Sequence, residues 1–116
     1  MQVLQAFAQT LGGCVRAGDA YRVGGEEFAV VMASADLSAA TRLGERIRAA
    51  LAADVASGAY QPLANITVTI GAASAPADGV RPAELLAACD RRLYAGKRSG
   101  RDQVVSREAH TSSVSG

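Results

Sequence analysis

Apolar positions recur along this chain at two periods, and the changes of period mark its elements. Val3, Leu4, Phe7, Ala8 and Leu11 are spaced for one face of a helix, and Gly12-Gly13 supplies its stop. That helix begins at Met1 with no capping residue and no strand before it, so the chain reads as entering in mid-element. Tyr21-Arg22-Val23 and the apolar run Phe28-Ala29-Val30-Val31-Met32 then flank Gly24-Gly25-Glu26-Glu27, the pattern of a hairpin with a buried return strand. A second helix is predicted after a cap at Asp36 or Ser38. Its buried face carries Leu43, Ile47, Leu51 and Val55, with Arg42, Glu45, Arg46 and Arg48 toward solvent.

Gly58 and Pro62 place a loop over residues 57–63. The stretch 65–73, Asn-Ile-Thr-Val-Thr-Ile-Gly-Ala-Ala, alternates threonine with apolar side chains and reads as the clearest strand, with Gly71 relieving crowding. After a loop over 76–81, Pro82 opens a third helix with Leu85, Leu86, Cys89 and Leu93 as its buried stripe and Ser99-Gly100 as its end. Val104-Val105 forms a short strand, and the polar residues from Arg107 onward read as a disordered tail. Helices and strands thus alternate in one mixed domain over residues 1–105, followed by a tail over 106–116.

Composition narrows the function classes. The 116 residues are 49% hydrophobic, enough for one core and too few for two domains. Twelve basic residues nearly balance eleven acidic ones, so binding to a nucleic-acid polymer or to a membrane surface is not expected, and any phosphate recognition is local. The single histidine, His110, stands in the polar tail, which argues against Ser-His-Asp and Cys-His catalysis. Cys14 and Cys89 have no metal-ligand spacing and read as small apolar residues in a reducing cytoplasm. No apolar run approaches the ~20 residues of a membrane span.

Three places carry candidate chemistry. Two adjacent glycines at the hairpin let a backbone approach a bulky anion closely, and the two carboxylates beside them are hard oxygen ligands of the kind Mg²⁺ takes. Gly-Gly is equally the ordinary chemistry of a hairpin turn. Lys97, the one lysine of the chain, and Arg101 are four apart, so a continuing helical turn would project both from one side toward a polyphosphate. The same cations would serve as simple complements to a helix dipole. Arg16 and Asp19 are spaced either for a local ion pair or for presenting an arginine to a phosphate.

Taken in order, these signals resemble a family. Arg22-Val23-Gly24-Gly25-Glu26-Glu27-Phe28 is similar to the signature of the GGDEF domain, the catalytic domain of bacterial diguanylate cyclases. Ile66-Thr67-Val68-Thr69-Ile70-Gly71 resembles the family's late core strand. The run from Cys89 to Asp102 resembles its carboxy-terminal helix signature, with Cys89, Arg92 and Gly96 where alanine is usual and Asp102 where asparagine is usual.

The resemblance implies an α/β (α+β) fold, a palm-like nucleotide cyclase sheet of ferredoxin-like connectivity packed by helices, with the first strand lying before Met1. It implies condensation of two GTP molecules to cyclic di-GMP by a homodimer with Mg²⁺ or Mn²⁺. Glu26 would be the metal ligand and, with a supporting Glu27, catalytic. Gly24 and Gly25 would admit the nucleotide, and Lys97 and Arg101 would hold its terminal phosphates. Arg16 and Asp19 would form an inhibitory cyclic di-GMP site, although their spacing to Gly24 is one residue shorter than usual. The family's second metal carboxylate and its guanine-reading residues would also precede Met1. A non-catalytic nucleotide-binding module and a dimerisation remnant are the alternatives that this departure raises.

Overall fold

The computed structural model describes residues 2–15, 20–24, 27–30 and 36–107. Helix α1 spans Gln2–Gly12 and helix α2 spans Leu37–Ala56, with the hairpin strands β1, Ala20–Gly24, and β2, Glu27–Val30, between them. Strand β3, Ile70–Gly71, helix α3, Pro82–Arg98, and strand β4, Val104–Val105, complete the order. The mixed helix-and-strand architecture agrees with the fold class read from the sequence.

Two small sheets result. β1 and β2 pair antiparallel, while β3 and β4 pair parallel through the α3 crossover. Among the described residues no ladder joins one sheet to the other. The long strand expected over 65–73 is correspondingly short, because residues 63–69 have no ladder partner there and only Ile70 and Gly71 are paired. A strand pattern supplies side-chain alternation; the assignment also needs a neighbour to exchange hydrogen bonds with.

The core forms where α1 and α2 meet the strands. Leu11, Leu43 and Ile47 are buried together, with Phe7, Val15, Val30, Val68 and Ile70 packed around them, and Leu51 is 1% exposed. The α2 cap is Asp36, whose carboxylate accepts from the Ala39 N–H at 2.8 Å. On α1 the buried face is rotated from the predicted one. Val3 and Ala8 are exposed, whereas Thr10 is buried, its hydroxyl bonded to Asp54 Oδ2 at 2.7 Å and to the Tyr60 hydroxyl at 2.8 Å. A threonine can occupy that place because its hydroxyl finds partners in both Asp54 and Tyr60.

α3 shows a similar rotation. Leu86 is 47% exposed, and the helix instead buries Ala88, Arg92 and Gly96. Arg92 is satisfied on several sides: Nη1 donates to the Ala72 carbonyl at 2.8 Å and to Asp78 Oδ2 at 2.9 Å, and Nη2 donates to Asp78 Oδ1 at 2.6 Å. Asp78 Oδ2 also accepts from the Ser74 N–H at 2.9 Å. Arg92 and this backbone N–H hold the Asp78 carboxyl at a pKa of about 2, well below its ordinary 3.8.

A carboxylate with a depressed folded-state pKa stabilises the fold above its unfolded value, and that contribution fades as pH falls through the folded one. Between pH 4 and pH 2 the domain should therefore lose about 2 kcal/mol at this site. Denaturant midpoints measured across that interval test the expectation, and Asp78→Asn, which cannot titrate there, should lack the component.

Candidate functional site

Two places in the fold gather the residues singled out by sequence. The first is the β1–β2 hairpin. Tyr21 pairs with Ala29, Arg22 with Phe28 and Gly24 with Glu27, and the register shifts between Arg22 and Gly24. The Gly-Gly-Glu-Glu stretch therefore joins two antiparallel strands as predicted, with Gly24 and Glu27 as facing positions in the ladder. Gly25 and Glu26, which connect them, lie outside the described residues, as do Arg16 and Asp19.

The second place is the turn after α3. The helix does not continue to Arg101. It ends at Arg98, Ser99 caps it, and the chain reverses through three left-handed residues, Gly100 at φ 112°, Arg101 at φ 64° and Asp102 at φ 52°. The Arg101 N–H donates back to the Gly96 carbonyl at 2.9 Å, the long closing bond of a Schellman-type end. Lys97 and Arg101 thus occupy the last helical turn and the reversal that follows the predicted Ser99-Gly100 end, so the continuing turn that would project both from one side is not formed. Both are exposed, and among the described residues neither side chain enters an ion pair. Two uncommitted cations beside a helix C-terminus are chemically suited to an anion with several negative oxygens.

This turn is held in place by side chains that the sequence reading did not single out. The Asp102 N–H donates to Thr69 Oγ1 at 3.0 Å, and Asp102 Oδ1 accepts from Arg48 Nε at 3.1 Å and Nη2 at 3.0 Å. Arg48 also bonds Glu45 through Nη1, and these two acidic partners raise the guanidinium pKa. Packing beneath the turn is tight: a Cβ on Gly96 would lie 2.7 Å from Thr69 Cγ2 and 3.1 Å from Val105 Cγ2. The glycine thus has a local reason, despite costing roughly 1 kcal/mol against alanine in a helix interior.

Comparison with known proteins follows the same landmarks. The family model described as "Diguanylate cyclase, GGDEF domain" matches residues 2–103. The chain belongs to the GGDEF family. This GGDEF domain is 38% identical over 110 residues to the response regulator PleD of Caulobacter vibrioides, covering 93% of the chain and 24% of that protein. It is 38% identical over 105 residues to the diguanylate cyclase DgcM of Escherichia coli, covering 90% of the chain and 24% of the relative. With diguanylate cyclase A of Treponema denticola it shares 35% identity over 105 residues, covering 89% and 28% respectively. The GGDEF domain therefore spans about a quarter of the length of these relatives.

A carboxylate at the hairpin is the right hard ligand for Mg²⁺ or Mn²⁺. Among the described residues of the GGDEF domain, no three His, Cys, Asp or Glu side chains gather as a metal cluster. No helix among the described residues is long and apolar enough to cross a membrane.

Proposed function

We propose that this GGDEF domain works as the nucleotide-condensing part of a diguanylate cyclase, joining two GTP molecules into cyclic di-GMP. What supports the reading most is the family match through the Gly-Gly-Glu-Glu hairpin to the carboxy-terminal turn. In this scheme two copies of the domain each present one GTP. The 3′-hydroxyl oxygen of one nucleotide bonds to the α-phosphorus of the other as the bond to pyrophosphate breaks, twice per product. Holding both nucleotides in line accounts for much of the rate advantage such a site can offer.

The residues then have separate tasks. Gly24 and Gly25 leave room for the nucleotide against the hairpin backbone. Glu26, with Glu27 in support, would hold Mg²⁺ or Mn²⁺, which when bound offsets the negative charge of the triphosphate. Lys97 and Arg101 pair with the terminal phosphates and stabilise the charge that accumulates on the departing pyrophosphate. The reaction draws on GTP in the cytoplasm.

The test is GTP turnover with Mg²⁺ in the full-length protein, following cyclic di-GMP and pyrophosphate together. Glu26→Ala should lower turnover at least ~100-fold, the scale of losing one electrostatic stabiliser at a reacting phosphate. Near-normal rates in that variant would remove the assignment. Nucleotide binding with no turnover in the unmutated protein would identify a binding module instead. Arg16 and Asp19 are proposed to bind the product and restrain the enzyme. Arg16→Ala should accordingly leave activity insensitive to added cyclic di-GMP, and unchanged inhibition would exclude the site.

A further inference from the structure

The turn carrying Arg101 is an improbable conformation that requires outside support. Arg101 and Asp102 are both left-handed without being glycine, at φ 64° and 52°. Such residues are disfavoured for side chains other than glycine and persist where their surroundings over-determine them. Part of the support is local: Arg101 N–H to the Gly96 carbonyl at 2.9 Å, and Gln103 Nε2 to the Arg101 carbonyl at 3.1 Å. Another part comes from β3 and its approach, through Thr69 to the Asp102 N–H at 3.0 Å and the Ile70 N–H to the Gln103 carbonyl at 2.8 Å.

Among the described residues, the hydrogen bonds that tie the turn to α2 come from Arg48. Arg48, 54 residues away in sequence, places two of its N–H groups on the single oxygen Oδ1 of Asp102. A guanidinium fork fixes direction as well as distance, which an ammonium does not. Glu45, one helical turn earlier, holds the same guanidinium from the other side. The pair is not a buried stabiliser, since the side chains of Arg48 and Asp102 are 28% and 51% exposed. Exposed pairs of this kind add little to global stability.

We infer that Arg48 is a positioning residue that acts through Asp102 to hold Arg101 where it meets the terminal phosphates of GTP. The inference rests on the proposed phosphate role of Arg101. Arg48 itself touches no phosphate in this scheme. It restrains the residue next to the one that does, so its loss should be felt by the triphosphate end of the nucleotide and not by the guanosine end.

Isothermal titration of the full-length protein with GTP and with GMP separates the possibilities, using Arg48→Ala, Asp102→Ala, the double variant and Arg101→Ala. Arg48→Ala should reduce the preference for GTP over GMP about 3- to 10-fold, a coupling of ordinary size for linked side chains, with GMP affinity and melting temperature little changed. In the double variant the preference should fall no further than in Asp102→Ala alone. A further fall would mean that Arg48 acts by its own charge, and that result overturns the positioning role. An unchanged preference in Arg48→Ala, alongside a lost one in Arg101→Ala, overturns it while leaving the phosphate reading intact. An unchanged preference in Arg101→Ala overturns both.

Asp102→Asn supplies the conservative control. Asparagine keeps an oxygen for the guanidinium fork and tolerates the left-handed region, so it should retain the wild-type preference if placement is what matters. A loss as large as that of Asp102→Ala would show that charge, not placement, is responsible, and would also overturn the inference.

Discussion

Arg92→Ala should cost the domain about 3–5 kcal/mol, the range for removing one partner from a buried ion pair. The guanidinium and carboxylate of Arg92 and Asp78 are only 7% and 13% exposed, so the substitution leaves a carboxylate away from water with only the Ser74 N–H among the donors described for it. It also deprives the Ala72 carbonyl of its Arg92 donor. Urea denaturation near neutral pH measures the loss, and a shift below about 1 kcal/mol would show that solvent reaches Asp78 readily. Replacing both partners with apolar residues of similar volume should be far milder than Arg92→Ala, because no charge is then stranded.

Gly71→Ala should be nearly as damaging, by about 3 kcal/mol or more, for a steric reason. A Cβ at that position would overlap the carbonyl oxygen of Cys89 and lie 2.7 Å from the Leu93 backbone nitrogen. These are backbone atoms inside α3 and cannot rotate out of the way. Relief requires β3 and α3 to separate, which would disturb the Ile70 N–H bond to the Gln103 carbonyl and the Ala72 N–H bond to the Val105 carbonyl. Thermal denaturation of the variant checks the expectation, and a melting temperature within a degree or two of wild type would rule out so close an approach.

How far the sequence reveals this molecule depends on whether a feature is periodic or relational. Leu43, Ile47 and Leu51 repeat at helical spacing, and all three are buried on α2. The Asp36 cap, the Pro82 start and the Ser99-Gly100 end are local chemistry, and each marks the end of a helix. Arg92 was legible only as a departure from alanine, because an arginine in a helix reads as a solvent residue until a partner such as Asp78, in a loop 14 residues earlier, is brought beside it. Thr10 and Tyr60 are hidden in the same way, by a contact spanning 50 residues.

The candidate site divides along the same line. Gly24 and Glu27 face each other because a hairpin is a local structure, and the signature predicts it. Lys97 and Arg101 stand out by type and spacing, and the helix end between them is legible, but the left-handed course through Arg101 and Asp102 is not a property of spacing. Arg48 carried no signal beyond a polar position on an amphipathic helix. Its link to Asp102 appears only when α2, β3 and α3 are assembled.

Gly96 has a consequence for anyone engineering this domain. A scan of helix interiors for propensity gains would include it, since it is the one glycine inside α3 and alanine is the better helix former. Yet the methyl group so introduced would press on Thr69, the residue whose hydroxyl accepts from the Asp102 N–H. A substitution made to raise thermostability would thus be transmitted to the setting of Arg101, and robustness at this helix would be exchanged for the geometry of the phosphate end.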